Sequence, residues 1–201
     1  MKFMKKFYLL FAITLLTVTA FESCKKGEND PALSLLSRKT RLVGNWELIN
    51  GTVSIIYSDG GSRIITYNGS ERTTLTDGST SVTTAYYRTF SIYKDGTFSR
   101  SITDDDDIFS SEGAWYFCPK NKELDLKSKE AVAFSTTKQY YSLDGGPQHE
   151  ITMGGTHAVA YPEVMQIDRL TNKELVILVD ESYGTESGSY TSTGTLTFKK
   201  K

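Results

Sequence analysis

Few residues of this 201-residue chain have the type and spacing that chemistry demands. There are two cysteines, Cys24 and Cys118, and two histidines, His149 and His157. A thiol nucleophile needs a base or a positive field close enough to draw off its proton. The sequence places neither histidine beside Cys118, which stands in the apolar stretch GAWYFCP, where a free cysteine ordinarily serves as a small buried hydrophobe. The histidines lie eight residues apart across Gly154-Gly155, unlike the close spacing of a zinc motif, and read as surface or rim residues. The densest charge run, Asp104–Asp107, offers carboxylates to a cation, but calcium loops place their oxygens at alternate positions. Contiguous aspartates in an extended chain point to opposite sides, so the run reads as a solvated hairpin loop. No Gly-x-Ser-x-Gly, phosphate loop or dinucleotide fingerprint occurs. The expectation is a non-enzyme, with no catalytic residue, no metal and no cofactor.

Cys24 takes its meaning from its flanks. The chain opens MKFMKK and continues FYLLFAITLLTVTA to Ala20, a run of fourteen residues. That is short of the ~20 a spanning helix needs but suits the apolar part of a secretory signal. In an oxidising compartment Cys24 could pair with Cys118. The alternative follows from Ala20-Phe21-Glu22-Ser23-Cys24, where a small residue directly precedes the cysteine. This resembles the lipobox of bacterial lipoproteins, although Phe21 and Glu22 replace an aliphatic and a small residue. The resemblance implies cleavage before Cys24, diacylglycerol on its thiol and acylation of the new N-terminus, and two or more chains anchor stably. Residues 1–23 are thus expected to be a lipoprotein signal peptide, and 24–41 a lipidated tether with a short helical segment. The address implied is the bacterial cell envelope, at the outer membrane on its periplasmic or surface side. Loss of residues 1–23 would remove Lys2, Lys5, Lys6 and Glu22 and take the net charge from −1 to −3. With no basic stripe, nucleic acid is an unsuitable partner.

The elements that must position these residues are mostly strands. From ALSLLSRKTRL into the residue after it, Leu33, Leu36 and Val43 share one helical side, enough for one or two turns. Beyond Gly44 the chain alternates apolar and polar residues between turn signals. Asp-Gly pairs stand at Asp59-Gly60, Asp77-Gly78, Asp95-Gly96 and Asp144-Gly145, and such pairs supply the positive φ of tight hairpins. The first three are eighteen residues apart, which predicts long consecutive antiparallel strands, with Asn50-Gly51 and Asn68-Gly69 inside them. Trp46 and Leu48 lie on one parity but Val53, Ile55 and Tyr57 on the other, so one extra residue near Gly51 must form a bulge. Further half-buried strands are expected at GAWYF, KELDL (Leu124, Leu126), EVMQIDRL and TGTLTFKK. ELVILV is apolar on both parities and should be covered on both faces. The repeated NKEL, at Asn121 and Asn172, reads as one turn chemistry used twice.

Gly44-x-Trp46 at the start of the first long strand, followed by KDGTFS, GAWYF, NKELDL, LTNKELVI and TGTLTFKK, resembles the lipocalin-like domain of bacterial envelope lipoproteins. The resemblance implies that residues 42–201 form an all-β, antiparallel meander barrel of about 8–10 strands. In it Trp46 would plug the closed end and Gly44 would allow close chain approach; the family's second motif, a late Asp-Tyr pair, is absent, and Asp168-Arg169 could supply an arginine over the tryptophan. It further implies a possible small apolar ligand in the barrel, whose contacts it does not identify. Tyr86, Tyr87, Phe90, Tyr93, Trp115, Tyr116, Tyr140 and Tyr141 could line such a cavity, or form a platform for a sugar. Three readings follow: a ligand carrier, a glycan- or protein-binding adhesion module with a solid barrel, and a structural lipoprotein of an envelope complex. An internal cavity separates the first two.

Overall fold

The computed structural model describes residues 29–31, 36–123, 126, 127, 130–152, 162–185 and 188–201. One helical turn, α1 (Arg38–Leu42), precedes the strands β1 (Gly44–Tyr57), β2 (Ser62–Asn68), β3 (Glu71–Thr76), β4 (Thr80–Ile92), β5 (Thr97–Asp104) and β6 (Asp107–Phe117). β7 (Ala131–Ser142), β8 (His149–Thr152), β9 (Glu163–Leu170), β10 (Glu174–Thr185) and β11 (Gly188–Lys200) follow, and the sheet is antiparallel throughout. Ser37 caps α1, its hydroxyl accepting from the Thr40 amide at 3.1 Å. Leu33, and with it the start of the expected helical segment, lies outside the described residues.

All four Asp-Gly pairs fall in turns between consecutive strands. At two of them the aspartate itself adopts positive φ, 48° at Asp77 and 50° at Asp144, with a positive-φ glycine after it. Asn68-Gly69 corrects the expectation of one continuous strand there. Gly69 has φ of 64°, the chain reverses, and the stretch becomes two short strands, β2 and β3. The same turn chemistry governs both dipeptides, so the spacing of the Asp-Gly pairs was the less informative signal. KELDL also differs: among the described residues it contributes only an isolated bridge between Asn121 and Leu126.

The bulge in β1 is present. The pairing with β11 shifts between Leu48 and Asn50, so Ile49 is the extra residue, and Trp46, Leu48, Val53, Ile55 and Tyr57 share the inner face.

The sheet closes through the β6–β7 pairing, giving a ring of ten strands in the order β1-β2-β3-β4-β5-β6-β7-β9-β10-β11. At one end the ring is narrower. There Gly44–Glu47 of β1 pairs directly with Thr89–Ile92 of β4, bypassing the β2–β3 hairpin and leaving eight strands around the axis. Further along, Asn50–Ile56 pairs with β2 instead, and the hairpin widens the bore. Above its four-residue pairing with β9, β7 pairs with the short β8.

The narrow end is dry. Trp46, Leu48, Phe90, Ile92, Phe98, Val132, Phe134, Leu170, Leu175 and Phe198 are all buried there. Phe134 packs against Phe98 and Phe90 at centroid distances of 4.9 and 5.6 Å, and Phe90 against Phe198 at 5.4 Å. Val176, on the opposite parity of β10, is buried too, as the unbroken apolar run predicts. Asp30 closes this end from outside. Its carboxylate accepts from the Leu170 amide at 2.8 Å and pairs with Arg41 at 3.2 Å and Arg38 at 3.5 Å, and all three side chains are buried. The chain ahead of α1 is therefore fastened to the β9–β10 turn.

Close approach of β1 and β11 depends on Gly194. A Cβ there would lie 2.1 Å from the Thr52 carbonyl oxygen and 2.8 Å from the Val53 Cα, both backbone atoms that cannot give way alone. Gly194→Ala is expected to cost about 1–3 kcal/mol, as other overpacked interiors do, measured as a lowered urea midpoint. Gly184→Ala, whose Cβ would meet only the Ser189 Cβ at 3.6 Å, is the control and should leave the midpoint unchanged.

Candidate ligand-binding site

Above the packed floor the ten-strand end encloses a cavity of about 470 Å³. Val53 and Ile55 of β1, Ile65 and Tyr67 of β2, Ile177 and Val179 of β10 and Leu196 of β11 form its apolar wall. Phe198 lies at its base, and Tyr57, Tyr190 and exposed Glu181 stand at the rim. The cavity exists because the added hairpin carries the wall outward faster than the inward side chains can fill it. A second cavity of about 250 Å³ lies against β5–β8, with Arg100, Ile102, Phe109, Tyr141 and Ile151 among its walls.

Strand parity puts charge inside as well as grease. Arg88 stands between Tyr86 and Phe90 on the inner face of β4, and Arg100 between Phe98 and Ile102 on β5. Glu163, the first residue of β9, reaches both. One carboxylate oxygen pairs with the Arg100 Nη1, and the other stands 3.8 Å from the Arg88 Nη2. The Arg100 Nε donates to the Ser111 hydroxyl at 2.7 Å. The Arg88 guanidinium lies 5.1 Å above the Phe90 ring and 5.9 Å from that of Phe198, which seats it on the floor. Nearer the hairpin, Arg72 pairs with Asp104 at 2.5 Å and covers Tyr86 at 5.4 Å. Tyr86 in turn packs on Tyr67 at 5.0 Å.

Of the residues singled out in the sequence, Gly44 and Trp46 come together at the closed end. Trp46 is 1% exposed, and its indole N–H donates to the Leu42 carbonyl at 2.7 Å. Its cationic cover is Lys200, not Arg169. The Lys200 ammonium lies 4.9 Å from the ring centroid and donates to the Arg41 and Val43 carbonyls at 2.7 and 2.6 Å. Gly44, at φ 144°, leaves room for that lysine, since a Cβ there would sit 2.6 Å from the Lys200 Cε. Arg169 instead pairs with Glu174 at 2.7 Å on the outside. Cys118 is a free, half-buried thiol whose pKa is pushed up by burial, the opposite of what a nucleophile needs. His149 stacks on Tyr141 at 5.1 Å on exposed β8.

The aspartate run is divided among separate tasks. Asp104 holds Arg72, Asp105 accepts from the Ala85 amide at 2.8 Å, and Asp107 accepts from the Asp144 amide at 2.9 Å. Among the aromatics, Tyr86, Phe90 and Trp115 are buried, whereas Tyr93 and Tyr116 are exposed. Cys24 and His157 lie outside the described residues. The internal arginines and Glu163 were not singled out from the sequence, although the parity of Tyr86-x-Arg88-x-Phe90 and Phe98-x-Arg100-x-Ile102 carries the signal. No protein-family model, curated protein or solved structure matches the chain.

Burial, reinforced by the neighbouring Tyr86, pushes the Tyr67 phenol from 10.0 up to about 12. The folded state thus favours the neutral phenol. Its contribution to stability is complete below the unfolded value of 10.0 and is lost as the pH rises from there through about 12. Tyr67→Phe keeps the ring and cannot ionise. Between pH 10 and 12 the urea midpoint of the parent protein should fall more steeply than that of the variant; parallel slopes would show that Tyr67 is not held neutral.

Proposed function

We propose that the protein is a lipid-anchored, lipocalin-like envelope protein that holds a small, partly apolar molecule inside its barrel without transforming it. The cavity carries this reading. Its volume of about 470 Å³ falls among small-molecule sites, which span about 300–1,000 Å³, and its walls combine an apolar sheet face with a few convergent polar groups. The Gly44-x-Trp46 pair supports the lipocalin likeness, because the tryptophan plugs the closed end where that resemblance puts it. An adhesion module with a solid interior would not call for such a space.

The anchor rests on Cys24 and on the signal-like stretch before it. Asp30 is only six residues downstream and is fastened to the closed end, so a lipid on Cys24 can stand at most roughly 20 Å from Asp30. On this reading the packed floor faces the bilayer and the cavity mouth faces the aqueous side from which a ligand arrives.

Two measurements test the proposal. Purified protein should enhance the fluorescence of the neutral dye N-phenyl-1-naphthylamine, and Ile55→Trp, which fills the wall of the cavity, should abolish the enhancement while leaving the far-ultraviolet spectrum unchanged. An equal signal from both proteins would argue against a binding cavity. In envelope extracts the parent chain should partition into the detergent phase, and Cys24→Ser into the aqueous phase; a variant that stays with the detergent would remove the case for lipidation.

A further inference from the structure

We infer that the molecule held in the barrel is a single-tailed amphiphile with one anionic head, bound head-down on Arg88 with its tail along Val53, Ile55, Ile177 and Val179. The inference rests on the carrier reading above and adds the chemistry and direction of the ligand.

Charge balance is the first observation. Among the described residues, the inner face at mid-height carries Arg88, which lines the larger cavity, and Arg100, which lines the smaller, against the one carboxylate of Glu163. Arg72 does not enter this balance, because Asp104 matches it at 2.5 Å. The match within the trio is uneven: Arg100 holds Glu163 closely and also binds Ser111, whereas Arg88 stands 3.8 Å from the carboxylate. The Arg88 side chain is 14% exposed and its Nε is buried with no hydrogen-bond partner. Tyr86 meets the guanidinium through a side-chain hydrogen bond but carries no charge, so this group, withdrawn from water and facing one distant carboxylate, favours an added anion, and its planar fork suits a carboxylate or a phosphate.

Direction follows from what lies above and below. Beneath Arg88 are Phe90 and Phe198, which close the way down. Above it the wall toward the rim is apolar, through Val53, Ile55, Ile65 and Val179. The rim groups Arg63, which lies over the Tyr57 ring, and Glu181 are both exposed, so water and salt screen them. An amphiphile satisfies both regions only with its head deep and its tail toward the mouth.

The test compares dodecanoate with dodecanol, and adds dodecyl phosphate, by displacement of N-phenyl-1-naphthylamine from purified full-length protein. Dodecanoate or dodecyl phosphate is expected to bind at least tenfold more tightly than dodecanol, and the better of the two identifies the head as carboxylate or phosphate. Arg88→Met should reduce the preference to less than threefold. Glu163→Gln removes the competing carboxylate and should tighten the anionic ligand severalfold while leaving dodecanol unchanged, a gain that a folding defect cannot imitate. Equal affinity for acid, phosphate and alcohol, or weaker anion binding by Glu163→Gln, would overturn the head assignment and leave the carrier reading standing. Failure of all three ligands and of the dye would overturn both.

Discussion

The number of strands around the ring changes along the axis, and the rest of the interior depends on this geometric constraint. Where Gly44–Glu47 meets Thr89–Ile92, eight strands enclose a bore that side chains can fill, and Trp46 and the phenylalanines do fill it. Once the β2–β3 hairpin enters, ten strands enclose more volume than the same inward residues can occupy. Floor and cavity are consequences of one change in pairing partner along β1. The bulge at Ile49 lies at that change, and it keeps the inner face apolar on both sides of the transition.

Volume alone would leave a wet, featureless cup. The electrostatics gives it character, because the sheet places arginines among aromatic residues at the level where the dry floor ends. A charged group there is tolerated only through compensation, and the protein uses two kinds. Glu163 crosses from β9 to meet β4 and β5, and the rings of Phe90 and Phe198 support the guanidinium face. At the opposite side of the floor, Asp30 with Arg38 and Arg41 forms a second ionic cluster, this one fully buried. Burial lowers the Arg38 pKa against the opposing pull of Asp30. The packed core is thus bounded by charge at both ends of its axis.

Much of this was legible in the chain. Asp-Gly turns, inward parity and the phase slip in β1 are local properties, written in neighbouring residues, and the structure carries them as read. Asn68-Gly69 was misplaced because an Asn-Gly pair inside a long alternating run is compatible with either a turn or a bulge, and only the partner strand decides. Lys200 over Trp46 could not be seen at all: the two are joined by barrel closure, and nothing near Trp46 in sequence points to the far end of the chain. Arg88 and Arg100 were within reach, since their parity puts them inside, but charge is ordinarily assigned to the surface and the alternation was read only for its apolar members.

The ten-strand end also carries two strand edges that no described strand covers: the outer side of β8 and the upper part of β10 beyond its pairing with β9. Open edges of this kind invite copies of a protein to join into extended sheets. Here the edge strand β8 is four residues long and carries Glu150, and the facing part of β10 carries Asp180 and Glu181. Glu150 is matched by Lys138 at 3.5 Å, so the brevity of β8 and the acids of β10 are what disfavour pairing at these edges. An edge so defended favours a separate vessel over a link in a fibre.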